Sequence, residues 1–460
     1  MNKIKYVLVL LAAISFIGCK KYLDVTPQGK VLPKTDEEFA ALIHTHVNEI
    51  EGGEDENIVG NFDNIISYES FSDNLDANVK IGNIPAYVGV KINTFQLDYK
   101  NYFSVIRDCN IVLENLLDRN TELAKKTCAA AYAIKGVCYY NLIRIYCEPY
   151  DPAKADNQLG MPLIDKFDME ERPARASLKE TVAYCEKMLK AAIDYNITDD
   201  FFLFTSNIEK AYLAKLYFWS QDWKNCSDLC EELMKVSSYK LAPIADYTDM
   251  IQTKNGWKQE VIVRSHINNN SDIDWYYTSV IKDVKTRPVN ATLVKLFAND
   301  KDKDVRYSLS FDSKRINTKN TSSKIRGSEL VLMLAECYYH ESLPGKALEQ
   351  LNYLRRNRIT GITDYQVSTL PEVNSNSIIT TDCTGAPLTK LLSAIFDERR
   401  KELYMEGDRW FELKRNGRPE MWVISDGLKY TTYKYLYTAP IYKGDVDLNS
   451  NMVQNEGYEK

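Results

Sequence analysis

The sequence predicts a mainly α-helical protein: a scaffold of paired helices carrying long irregular insertions. Apolar residues recur at helical spacing through long segments of the first half. Two segments far apart share one register of small and aromatic residues. Between and after them lie polar stretches in which the periodicity disappears. Composition agrees with a folded chain: of 460 residues, 45% are hydrophobic and 27% charged, enough apolar content for a core. A formal net charge of -6 argues against a nucleic-acid binder, which would carry a basic stripe.

Taking the elements in order, Lys3 and Lys5 precede an apolar run from Tyr6 to Ile17 that stops at Gly18-Cys19. A charged start, a short apolar core and a small residue before the cut describe a secretory leader over 1–18. The run is too short for a bilayer span, which needs about 20 residues. Phe16-Ile17-Gly18-Cys19 resembles a bacterial lipoprotein box, which makes Cys19 the expected lipidation site. Two or more acyl chains, at about 0.8 kcal/mol per buried CH₂, make a stable membrane anchor. Residues 19–35, with Pro27, Gly29 and Pro33, read as a tether, and 36–460 as one folded domain.

Helical pattern begins near Asp36. It is strong over 100–118, where Tyr102, Phe103, Ile106, Leu113 and Leu117 recur, and over 121–147, which stops before Glu148-Pro149. Further helices are expected at about 177–194, 207–220 and 222–236. Ala214, Tyr217, Cys226 and Cys230 share their offsets with Ala335, Tyr338, Ala347 and Leu351. That is the spacing of a tetratricopeptide-type hairpin, in which small residues let two helices approach and aromatics fill between them. Gly136 and Tyr139 begin a possible third copy. These hairpins divide the domain into a helical part (36–236), a loop-rich insertion (237–326) and a C-terminal part (327–460). Within the insertion, Val261-Ile262-Val263 reads as a short strand and His266 to Asp274 as a loop; a second irregular stretch covers 360–387.

Ten cysteines include Cys19; the other nine are odd in number and show no regular spacing, so they read as unpaired core residues. Cys226 and Cys230 lack the second ligand pair a zinc site requires, and His44 and His46, two apart with no acidic or Cys partner nearby, read as surface or capping residues. Asp300, Asp302 and Asp304 alternate like a calcium loop, but Val305 and Phe311 stand where Gly and Glu are needed. No metal or cofactor is expected. Phosphate-loop, HExxH and GxSxG motifs are all missing. A glycosidase needs two carboxylates across a cleft. The dense charges at Glu398, Glu402 and Asp408 read instead as a helix-end network, closed by Gly407 and covered by Trp410 and Phe411. The chain is therefore expected not to be an enzyme.

Asp397 to Leu403, followed by Glu406 to Arg415, closely resembles a signature of the SusD/RagB family of Bacteroidetes outer-membrane nutrient-binding lipoproteins. Arg326 to Tyr338 and Ala131 to Tyr146 are similar to that family's tetratricopeptide entry helices, and Asp447 to Tyr458 to its closing segment. The resemblance implies a lipid-anchored protein facing the cell exterior. It also implies that such a protein captures an oligosaccharide, or less often a peptide, and passes it to a SusC-type TonB-dependent transporter. A purely protein-binding helical scaffold and a surface glycan hydrolase are the competing readings.

Sugar rings offer apolar faces rimmed by hydroxyls, so a site for them needs flat aromatics beside polar side chains. Trp219 and Trp223 fall in a hairpin, and Trp410 and Trp422 in the C-terminal packing. That leaves Trp257 and Trp275, the latter with Tyr276 and Tyr277 beside an Asn-rich loop. Asp73, Asn74, Asn83 and Tyr87 form a second expected ligand cluster.

Overall fold

The computed structural model describes residues 32–52, 58–60, 62–78, 87–168, 170–252, 259–265, 285, 287–320 and 324–459. Cys19 and most of the tether lie outside them. Among the described residues, no helix is long and apolar enough to cross a membrane.

The first helices are α1 (Asp36–Gly52), α2 (Phe62–Phe71) and α3 (Val88–Asn115). α3 begins well before the expected start at 100, because Val88, Phe95 and Tyr99 extend its buried stripe through polar neighbours that blur the periodicity. α4 (Glu122–Tyr146) starts at Thr121, whose side chain accepts from the Ala124 amide. α5 (Leu178–Ile193) starts in a reciprocal capping box between Ser177 and Glu180. These two form the third hairpin. Gly136 sits at the contact, where an added Cβ would lie 2.8 Å from the Leu189 side chain.

α6 (Ser206–Trp219) and α7 (Trp223–Leu233) make the next hairpin, and α11 (Gly327–His340) with α12 (Pro344–Arg356) the last. All eight residues of the shared register are buried. α7 packs directly on α11, so hairpins separated by the long insertion stack as neighbours in space. The insertion contains α8 (Ile244–Gln252), α9 (Ala291–Lys295) and α10 (Val305–Ser310). Its base is closed by the expected strand β1 (Val261–Arg264), paired antiparallel with β2 (Lys324–Arg326).

The C-terminal part adds α13 (Lys390–Glu402), α14 (Asp408–Arg415), a hairpin of β3 (Met421–Ser425) and β4 (Leu428–Thr432), and α15 (Lys443–Leu448). Trp410 is buried as expected, stacked on Tyr437 with centroids 4.4 Å apart. Cysteines 109 to 383 are all free thiols, and all but Cys383 are fully buried. His46 departs from its expected surface role: it is 5% exposed, with Nε2 3.4 Å from Asp108. Its stripe on α1 faces α3, so the ring is packed among core residues.

The charged signature is an interior feature. Glu402 receives Arg358 Nε at 3.1 Å, Arg306 Nη1 at 3.1 Å and Arg326 Nη1 at 2.5 Å. Arg326 and Arg358 also bind Glu260, at 2.7 and 2.8 Å, while Arg306 reaches Glu398 and Asp304. The network therefore ties the residue before β1 and the segment after α12 to β2, α10 and α13 through buried charges. Gly407 turns the chain with φ 76°, in the left-handed region, and so joins α13 to α14.

Candidate functional site

Asn83, Trp257, Trp275, Tyr276 and Tyr277 lie outside the described residues. Asp73, Asn74 and Tyr87 are described; Asp73 lies in one wall of a groove beside the β3–β4 hairpin, whose lining includes neither Asn74 nor Tyr87.

The wall is the segment that follows α2. Ser72 accepts from the Asn74 amide at 3.2 Å and donates to the Glu69 carbonyl at 2.8 Å, turning the chain out of the helix. The segment then runs like a strand between two neighbours. Asp76 donates to the Pro288 carbonyl at 2.8 Å, and Ile424 of β3 donates to the Ala77 carbonyl at 2.7 Å. Arg287 is 1% exposed and clamps it from below, donating to the carbonyls of Ser70, Asp76 and Leu75. Burial among neutral acceptors pulls that guanidinium down to about 10.

The two polar residues expected to meet ligand face inward, a correction to the sequence reading. Asp73 lines the groove wall, but its carboxylate is held by Arg409 at 2.7 and 3.0 Å and by Arg400 at 3.1 Å. Burial alone would push its pKa up; Arg400 and Arg409 outweigh it and hold the group at about 2. Asn74 is fully buried, donating to Glu69 at 2.8 Å and accepting from Arg400 at 3.0 Å. Glu69 also accepts from the Gly407 amide at 3.0 Å, and burial pushes its pKa up to about 7 against these hydrogen bonds. Both side chains thus fasten the wall to α13 and α14.

The sign for Asp73 follows from linkage. Its folded pKa lies below the ordinary 3.8, so its stabilisation is present above that value and is lost as pH falls towards 2. Asp73→Asn is expected to cost about 2 kcal/mol at neutral pH and to flatten the acid limb of a pH–stability curve measured by urea unfolding. An unchanged acid limb would remove the ion pair from this account.

The opposite wall was not anticipated. Trp422 was assigned to C-terminal packing, yet it is 45% exposed and lines the groove. The hairpin lifts it out. Asp426 and Gly427 both have positive φ, 48° and 77°, as a two-residue hairpin turn requires. An Asp-Gly pair between alternating β-formers was the available sequence signal. Lys429 Nζ stands 5.4 Å from the Trp422 ring centroid. On the same hairpin Tyr430 meets Tyr87, with centroids 5.7 Å apart. The groove holds about 210 Å³, with Asn290 and Thr432 among its polar lining and Phe71, Leu75 and Ile378 among its apolar lining.

A second, smaller space of about 60 Å³ lies between α4, α6 and α14. Its rings Tyr102, Tyr140, Tyr212 and Phe411 are buried in the core, so it offers no exposed platform.

Two family models match this chain. The SusD family model covers residues 246–458, and a model described as starch-binding associating with outer membrane covers 21–218. No curated protein sequence matches. Among solved structures, a SusD superfamily protein from Bacteroides thetaiotaomicron superposes with a TM-score of 0.70 at 17% identity, over 92% of this chain and 99% of its own. A SusD-like carbohydrate binding protein from Bacteroides vulgatus gives 0.70 at 17% identity, over 93% and 100%. A laminarin binding SusD-like protein gives 0.60 at 17% identity, over 92% and 99%. At such identities the structures speak for the fold. The two matched models, which between them run through residues 21–218 and 246–458, place this protein in the SusD family.

Proposed function

We propose that this protein captures a polysaccharide-derived ligand at the outer membrane without altering it, and hands it to a SusC-type TonB-dependent transporter. The observation that carries this reading is the exposed Trp422 ring on a groove wall, with Lys429 beside it and Asn290 and Thr432 within the same lining. A flat ring takes the apolar face of a sugar, and neighbouring donors take its hydroxyls. The names of the matched outer-membrane model and of the laminarin-binding neighbour favour a glycan as the ligand class.

A hydrolytic reading loses support at the same groove. A glycosidase acid needs a raised pKa. Asp73, one of the carboxylates in the wall, is pinned in its charged form by two arginines. The anchoring role of Cys19 and the ligand roles of Trp257, Trp275, Tyr276, Tyr277 and Asn83 belong to this proposal too, as does exposure on the cell's outer face.

The test is a binding screen of the detergent-solubilised full chain against a panel of soluble polysaccharides, with the ligand re-examined afterwards by size. Saturable binding with ligand recovered at its original length is expected. Shortened ligand would overturn the non-catalytic reading, and binding to peptides alone would overturn the glycan.

A further inference from the structure

Sequence spacing gives no metal motif, because the donors concerned are far apart in the chain. Folding brings three of them together. Glu336 and His340 lie one turn apart on α11, and Cys383 arrives from the turn that follows Ile379. His340 Nε2 stands 3.9 Å from Glu336 Oε1 and 3.9 Å from Cys383 Sγ. One ligand atom from each residue falls within 4.8 Å of the others. We propose that Glu336, His340 and Cys383 form a binding site for a zinc-class divalent cation, with its remaining position open to water.

The donor set suits that ion. Carboxylate, imidazole and thiolate are its three protein ligand types, with bonds of about 2.0–2.3 Å. Tetrahedral coordination would place those atoms about 3.3–3.6 Å apart, so the two 3.9 Å pairs need close by about half an ångström and the widest, within 4.8 Å, by up to about 1.3 Å. Each donor is already held. The imidazole is stacked on Trp223, with centroids 4.3 Å apart and planes 13° from parallel. Cys383 rides on a turn in which Asp382 accepts from the amides of Thr384 at 2.9 Å and Ala386 at 3.0 Å.

Glu336 is fully buried, and its Oε1 is 2.7 Å from Arg415 Nη1, while Oε2 accepts no hydrogen bond among the described residues. The same Oε1 approaches both Arg415 and His340, so Arg415 orients the carboxylate while Oε1 or, after a turn of the carboxylate, Oε2 takes the ion. Glu336 and the Cys383 thiolate supply two negative charges to a divalent cation, with Arg415 adding one positive charge beside Glu336, and the thiol proton leaves to solvent when the ion binds. Burial pushes the empty Cys383 thiol up to about 12, against the pull of Arg415. Of cysteines 109 to 383, Cys383 is the one that is not fully buried, and so the one an ion can reach.

Cobalt reports on such a site directly. Co²⁺ would be titrated into the reduced full chain in detergent, followed by Zn²⁺. A thiolate-to-cobalt charge-transfer band is expected to saturate at one equivalent and to disappear when Zn²⁺ displaces the cobalt. Cys383→Ser should abolish the band, His340→Gln should weaken cobalt binding at least about tenfold, and Cys226→Ala should leave both unchanged. Circular dichroism on each variant secures the fold, and zinc should raise the thermal midpoint of the wild type but not of Cys383→Ser. No band in the wild type, or the same band in Cys383→Ser, would overturn the site.

Discussion

Glu402→Ala is expected to cost about 3–5 kcal/mol of stability, the effect of removing one partner from a buried ion cluster. Glu402, Arg306, Arg326 and Arg358 are all under 2% exposed, and each arginine has a nitrogen 2.5–3.1 Å from a Glu402 carboxylate oxygen. Removing the carboxylate leaves three guanidinium groups in a dry interior. Glu260 remains for two of them, with Asp304 and Glu398 for the third. Those acids were already engaged, so the positive charge becomes surplus. Against a typical domain stability of about 5–15 kcal/mol, the loss is large enough to unfold much of the protein at body temperature. The direction of its pH dependence is fixed as well. The surrounding arginines overcome burial and hold Glu402 well below its usual range, so its contribution is full above pH 4.5 and fades as acid approaches the depressed folded value. The measurement is a urea midpoint for wild type, Glu402→Ala and Lys224→Ala. Lys224 pairs with Asp228 in open water, where such pairs contribute little. A Glu402→Ala midpoint that moves no further than that of Lys224→Ala would remove the network from the account of what holds the insertion to the helical stack.

How far the sequence could reveal this protein depended on the range of each interaction. Local periodicity was enough for α4 to α7 and for β1, because a stripe of buried residues at helical or strand spacing is written in consecutive positions. The shared register of Ala214 and Ala335 was legible for the same reason and foretold two hairpins, whose stacking on each other only the fold reveals. The charged run 397–415 read correctly as structural, but its partners could not be named. Arg306, Arg326 and Arg358 come from three other elements and meet Glu402 only in three dimensions. Asp73 and Asn74 show the converse failure. A Ser-Asp-Asn cluster after a helix looks like a polar surface, and nothing local announces that Arg400 and Arg409, over three hundred residues later, turn it inward. Trp422 was missed although its signal was local. The Asp426-Gly427 pair marks a two-residue turn, and that turn makes the exposed hairpin on which the ring stands.

That hairpin carries the second large effect. Trp422→Ala is expected to weaken glycan binding about thirty-fold or more, the loss of roughly 2 kcal/mol typical of an aromatic anchor. Stability should hardly change, because the ring is 45% exposed and supports little of the core. Trp422→Phe should recover part of the affinity, since a smaller ring still offers a face. The informative contrast is Trp410→Ala. Trp410 is 3% exposed between Tyr437 and Phe71, so its removal should cost about 3–5 kcal/mol of stability before any effect on ligand is felt. Calorimetric titration of a bound polysaccharide separates these outcomes, provided that the folded fraction of each variant is measured first. Tyr87→Ala should fall between them, because Tyr87 meets the hairpin through Tyr430 and acts on the platform from behind. If Trp422→Ala binds as tightly as wild type while Trp275→Ala does not, the platform belongs to the Trp275-Tyr276-Tyr277 segment.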